Sequence, residues 1–419
     1  MPQPKLLPWG ILLLLSLFAP SCGGGGSASS GGGAPPPPPP PQPPPPPVGA
    51  NGLPTTFRFG LGNGPGDADW MTTSGAAWSY RYQYLSGNVS GGNWSQWNSP
   101  AGEFAKIYMN ESKDHGYIPV LTYYCMAQSG GEGNLAAMTN TGLMWNYFNN
   151  WKLLMQKAGE FDAPVVIHHE PDLWAYMQMQ KGDDPANVPV AVTSSGFTEV
   201  QGQPDTAIGF ARALVALRNT LAPKARIAFH ASNFATNTDI TFGGDAAALG
   251  TRVANFFNAL GAGYDLLFND FTDRDAGYYA SIGQPRPWND ATFERSRLYL
   301  ATLSASTGKK ILLWQVPCGN TLYRSCNNTS GHYQSNHAEY FLKAGNRQRI
   351  VDWAASGIIG MMFGSTLAQT TSYMDARGDH TTNPSPINGN TVLATVDDDD
   401  GGFLRSSAGQ YDANPVTLP

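Results

Sequence analysis

The sequence predicts a (β/α)8 TIM barrel, a single α/β domain behind a leader and a Gly/Pro-rich tether. Three observations predict it. Eight short apolar runs recur, helical periodicity fills most of the gaps between them, and roughly 370 residues remain once the N-terminal segments are set aside. Strands alternating with helices indicate a parallel sheet, and eight such units favour a closed barrel over an open sheet.

The chain opens on a segment that reads as targeting signal. Lys5 gives a weakly positive start, and Leu7 to Phe18 form an apolar stretch too short for an ordinary membrane helix. Ala19-Pro20-Ser21-Cys22 follows and resembles a bacterial lipoprotein cleavage site, which implies a lipid on Cys22. Ala19 and Pro20 depart from the usual pattern, so plain secretion stands beside a lipid anchor. Residues 23–52 are Gly/Ser-rich and then nearly all proline, a flexible piece followed by a semi-rigid polyproline II spacer. The barrel is expected over 53–419.

Strand one is Phe57–Gly62, strand two Tyr80–Leu85 and strand three Ile118–Tyr124. Strand four begins at Val165-Val166-Ile167 and runs into His168-His169-Glu170-Pro171-Asp172-Leu173-Trp174. Strands five to eight are Arg226–His230, Tyr264–Asp270, Lys310–Val316 and Ile358–Gly364. Such apolar runs suit strands buried on both faces. Helical spacing is present over 101–114, 141–158, 206–221, 244–260, 291–305 and 337–355, while 63–79 reads as loop. Thr366 to Val396 is polar and reads as a long loop over the barrel mouth, with Asp375, Arg377 and Asp379 at its rim. Asp397 to Asp400 reads as a solvated acidic run, and 403–410 as a short closing helix.

Composition narrows the partners. Charged residues are 13% and the net charge is -6, with no basic patch, so nucleic acid is excluded as a partner. Low charge with abundant Trp, Tyr, Asn and Gly suits an exported monomer that touches a neutral poly- or oligosaccharide. Cys318 and Cys326 stand eight apart in one loop and are expected to pair as a disulfide in an oxidising compartment. Cys125 is expected to be a buried thiol.

In a barrel of this kind the pocket lies at the C-terminal strand ends. Asn63, Tyr84, Tyr124, His169, Glu170, Asp172, His230, Asn233, Asp270, Asp273, Gln315 and Ser365 stand there. Trp70, Trp94, Trp97, Trp174, Trp288 and Trp314 fall in or beside the same loops, and indole faces offer apolar surface to a pyranose ring. Strand alternation sends His168 and His169 to opposite faces, which disfavours a shared metal ion. No metal and no other cofactor are expected.

His169-Glu170-Pro171 resembles the Asn-Glu-Pro at the end of strand four in the large clan of retaining glycoside hydrolases built on this barrel. The resemblance spans about residues 57–412 and its motif is short. It implies that Glu170 protonates the glycosidic oxygen, a task that favours a carboxyl with a raised pKa. It implies that His169 binds a sugar hydroxyl. The clan's strand-seven Glu nucleophile is absent, because Trp314-Gln315-Val316-Pro317 ends that strand here. Asp270 is then the expected second carboxyl, with Asp273 and Asp172 as alternatives. Tyr124, Asp172, Trp174, His230, Asn233, Asp273, Trp314 and Gln315 are expected to line the sugar site. A non-catalytic surface lipoprotein that binds glycans through a degenerate barrel is the other reading.

Overall fold

The structure, a computed structural model, describes residues 47–364 and 370–419. The leader with Cys22, the tether as far as residue 46, and Ser365 lie outside the described residues. Eight strands form one closed parallel barrel in chain order. They are β1 (Arg58–Gly62), β2 (Tyr80–Ser86), β3 (Ile118–Tyr124), β4 (Val165–His169), β5 (Ala225–His230), β6 (Leu266–Asp270), β7 (Ile311–Val316) and β8 (Ile358–Phe363). β1 closes the ring on β8, pairing Arg58 with Gly360 and Leu61 with Phe363.

The period of two along each strand divides the apolar side chains between two cores. Tyr82, Val120, Val166, Phe268, Leu312 and Trp314 fill the lumen. Leu121, Ile167, Phe229, Leu267 and Leu313 pack outward beneath the helices. Burial on both faces explains why the strands read as continuous apolar runs. Gln315 interrupts β7: its φ is +55°, and the pairing with β8 shifts between Leu313 and Val316.

The helices are α1 (Ala68–Thr73), α2 (Glu103–Asp114), α3 (Thr141–Phe161), α4 (Leu173–Lys181), α5 (Ala207–Leu221), α6 (Ala246–Leu260), α7 (Ala276–Ser281), α8 (Asp290–Thr307), α9 (His337–Leu342), α10 (Arg347–Ala355) and α11 (Phe403–Asp412). Three expectations are revised by them. The stretch after β1 holds the short α1. The single helix expected over 337–355 is broken into α9 and α10 around Gly345, whose φ is +91°. The stretch after β4, where no helix was expected, holds α4, whose first turn includes Trp174.

Two further expectations are overturned. Asp398, Asp399 and Asp400 are buried, not solvated. Asp400 accepts from the Gly402 and Leu404 amides at 2.8 and 2.7 Å and so holds the first turn of α11. Asp398 pairs with Arg405 at 2.7 Å and accepts from the Trp70 indole. Cys318 and Cys326 form no disulfide; both are buried free thiols, as is Cys125. Asn320 organises their loop instead, donating to the Cys326 sulfur at 3.6 Å and to the Asp400 carbonyl at 2.7 Å. Among the described residues, no helix is long and apolar enough to cross a membrane.

Candidate active site

The lumen becomes polar at the C-terminal ends of β3 to β7. His168 on β4 points inward and lies over Phe268, with ring centroids 4.2 Å apart. Its Nε2 is 2.8 Å from Nδ1 of His230 on β5, and its Nδ1 is 3.2 Å from the Thr122 hydroxyl on β3. Burial, reinforced by His230 and His169, pushes the His168 imidazole well below its usual range, so it is neutral.

His230 presents Nε2 to two carboxylates. Oδ1 of Asp172 and Oδ1 of Asp270 are each 3.8 Å away, and Nε2 has no hydrogen-bond partner. The two aspartates are pushed in opposite directions. Asp172 is raised, chiefly by burial, although His230 opposes this. Burial would raise Asp270 too, but Arg274 and His230 outweigh it and hold that carboxyl below the ordinary range. Arg274 reaches Asp270 at 2.7 Å and Asp239 at 3.0 Å. Asp172 also accepts from the Ser232 hydroxyl at 2.9 Å.

Glu132 lies on the loop after β3. The Tyr124 hydroxyl donates to it at 2.6 Å, and burial with the nearby Asp172 lifts its carboxyl to about 7. Tyr84, Tyr124 and Trp314 stand beside these acids; Tyr84 is 5.7 Å from Trp314 and 6.3 Å from Tyr124 between ring centroids. The Gln315 amide donates to the Tyr84 hydroxyl at 2.6 Å. A buried acid with its pKa raised, an ionised acid and flat aromatic faces together suit proton transfer on a hydroxyl-rich ligand.

Glu170 stands elsewhere. Its φ is +44°, and its side chain is fully buried between the β3 end and α3. The amides of Cys125 and Met126 donate to Oε1 at 3.2 and 3.1 Å, and the Tyr147 hydroxyl does so at 3.0 Å. Burial, only partly offset by these donors, lifts the carboxyl to about 8. The raised pKa expected of a proton donor is therefore present, but the carboxyl is turned to the amides after β3 and to Tyr147 of α3.

His169 faces the helix layer, opposite His168. The Trp174 indole donates to its Nδ1 at 3.2 Å, which leaves the hydrogen on Nε2, 2.7 Å from the Tyr147 oxygen. Burial takes this imidazole down to about 3. His169 and Trp174 thus sit in the core beneath the helices. Asn233 braces the β5–β6 ends, donating to the Asp270 carbonyl at 2.9 Å. Asp273 is buried and accepts from the Ala276 amide at 3.4 Å; burial raises it to about 6. Trp94 and Trp288 are buried as well, whereas Trp97 is 45% exposed.

Of the groups expected at the sugar site, the lumen brings together Tyr124, Asp172, His230, Asp270, Trp314 and Gln315. Glu132, Arg274 and Thr122 complete this arrangement without having been singled out. Glu132 carried a signal, since Gly130-Gly131-Glu132-Gly133 follows a strand end directly. Arg274 is four residues beyond Asp270, on the same turn. Among the described residues, the group spaced closely enough for a metal ion is Asp375, His380 and Asp397, on the loop after β8.

No family model matches the chain, and no curated protein matches it. Several solved structures are similar to it in chain path. A GH53 catalytic domain from Ignisphaera aggregans is 11% identical, over 84% of this chain and 97% of that one, with a TM-score of 0.46. An exo-beta-1,4-mannosidase from Opitutaceae bacterium strain TAV5 is 10% identical, over 87% of this chain and 63% of that one, at 0.47. A family 1 b-glucosidase from Thermotoga maritima is 10% identical, over 76% and 91%, at 0.43.

Proposed function

We propose that the chain is an exported protein that hydrolyses a glycosidic bond at the barrel mouth, with Asp172 as proton donor and Asp270 as its ionised partner. One observation carries this reading: two aspartates flank a single imidazole, and their surroundings push them in opposite directions. Environments that separate two carboxyls in this way give one the acid role and the other the base role. Glu132 lies beside Asp172 with its own carboxyl raised by burial and by Asp172. Tyr84, Tyr124 and Trp314 offer ring faces to the sugar. Glu170 anchors the scaffold: it ties the start of the β3–α3 loop, which carries Glu132, to α3.

The test is reducing-end release from a panel of glycans by the wild type, Asp172→Asn and Asp270→Asn. The expected result is cleavage by the wild type and a loss of about 100-fold or more in each variant. Gln315 favours a second reading, a surface glycan-binding protein, because β7 ends in an amide engaged with Tyr84. Glycan affinity without cleavage by the wild type would select it. Export and a lipid on Cys22 belong to the same proposal; Cys22→Ser should release the protein from the membrane fraction.

A further inference from the structure

We infer that Thr122 and His168 are positioning residues that hold His230 with its hydrogen on Nε2, so that a single N–H serves Asp172 and Asp270 together. This rests on the catalytic reading of the two aspartates, and it begins from a chain of contacts that reading does not use. Thr122 Oγ1, His168 Nδ1, His168 Nε2 and His230 Nδ1 are linked at 3.2 and 2.8 Å, and His230 Nε2 ends the chain with no partner. All three residues are at most 1% exposed.

Each link requires one donor and one acceptor. His168 has no carboxylate in contact and is neutral, so it carries one hydrogen. If that hydrogen were on Nδ1, His230 would have to donate from its own Nδ1. As a neutral ring it would then turn a bare Nε2 lone pair toward two carboxyl groups, one of them ionised. With both rings neutral, the opposite sense pairs every group along the chain and leaves His230 Nε2–H facing the two carboxyls at 3.8 Å without a hydrogen bond. The Thr122 hydroxyl donates to His168 Nδ1, His168 Nε2–H donates to His230 Nδ1, and His230 Nε2–H faces the aspartates. In this sense the Asp172 proton stays free for a ligand, because His230 has no lone pair to accept it. The groups facing His230 are His168 on β4, Asp172 after β4, Asp270 on β6 with Arg274 behind it, and the Trp314 ring on β7.

The experiment is long-range 1H–15N correlation of the imidazoles in the full-length protein, with His168 and His230 assigned by substitution and followed in Thr122→Val and Thr122→Ser. The expected wild-type spectrum shows His230 with a pyrrole-type Nε2 and a pyridine-type Nδ1. Thr122→Val should disturb it and Thr122→Ser should restore it. In the hydrolysis assay, Thr122→Val should lower kcat by roughly 10-fold, the worth of about one neutral hydrogen bond. It should also move the acid limb of the pH profile upward, with little change in KM. A hydrogen on His230 Nδ1 in the wild type, or a spectrum unaltered in Thr122→Val, overturns the inference. The spectrum reads the tautomer whether or not a glycan is cleaved, so absence of hydrolysis counts against the catalytic reading alone.

Discussion

Replacing Glu170 separates an anchor from a proton donor. Glu170→Ala leaves three buried donors, the Cys125 and Met126 amides and the Tyr147 hydroxyl, without their acceptor. An unmatched buried donor costs about 1–3 kcal/mol, so the variant should lose about 3–6 kcal/mol after some relaxation. Glu170→Gln keeps one acceptor oxygen in place and should cost only about 1 kcal/mol. The carboxyl also titrates at about 8 in the folded protein against an ordinary 4.5. The folded state thus retains a proton that the unfolded chain gives up above about pH 4.5. This contribution is complete below that pH and is lost as pH rises through about 8, on the order of 5 kcal/mol in all. Urea unfolding between pH 4 and 9 should show the decline in the wild type and a flatter profile in Glu170→Gln. Turnover by Glu170→Gln should stay within a few-fold of the wild type. Wild-type stability with a loss of about 100- to 10,000-fold in kcat would refute the anchor and return Glu170 to the chemistry.

Three other outcomes follow from the same geometry. Arg274→Met strips Asp270 of its ion-pair partner and should cost about 3–5 kcal/mol in urea unfolding, because Asp270 is nearly buried. It should also move the acid limb of the pH–rate profile to higher pH; an unmoved limb would mean that Arg274 does not set Asp270. Asp400→Ala removes the acceptor for two amides in the first turn of α11 and should cost about 1–2 kcal/mol. With Cys318 and Cys326 unbridged, a reductant should leave the melting temperature unchanged, and a clear drop would reveal a disulfide.

The barrel was legible because all eight strands are buried on both faces, and such strands leave unbroken runs such as Val165-Val166-Ile167 and Ile311-Leu312-Leu313. Alternation also separated His168 from His169 along β4, but the face expected at the sugar site was that of His169, whereas His168 takes the lumen and His169 the helix layer. It failed one residue later. Positive φ values at Glu170 and Asp172 end the strand geometry, so the period of two no longer tells where a side chain points. Glu170 turned toward the amides after β3, and Asp172 came to the lumen. Helix α4 was hidden because its N-cap, Asp172, adopts a left-handed conformation and offers no side-chain cap for a sequence reader to find. The burial of Asp398 to Asp400 was hidden for another reason. Four consecutive acids look solvated until the partners are known, and Arg405, Trp70 and the α11 amides are supplied by the fold. Glu132 owes its raised pKa to burial and then to Asp172, surroundings that sequence separation does not reveal.

The assignment of Asp172 as proton donor is tested most directly by leaving-group dependence. Turnover of a natural glycan is compared with that of an aryl glycoside of the same sugar whose leaving group needs no proton. The account predicts that Asp172→Asn loses about 100-fold or more on the glycan and recovers most of it on the aryl glycoside, while Asp270→Asn is impaired on both. Equal losses on the two substrates for Asp172→Asn, or a leaving-group rescue that appears in Glu170→Gln instead, would contradict it.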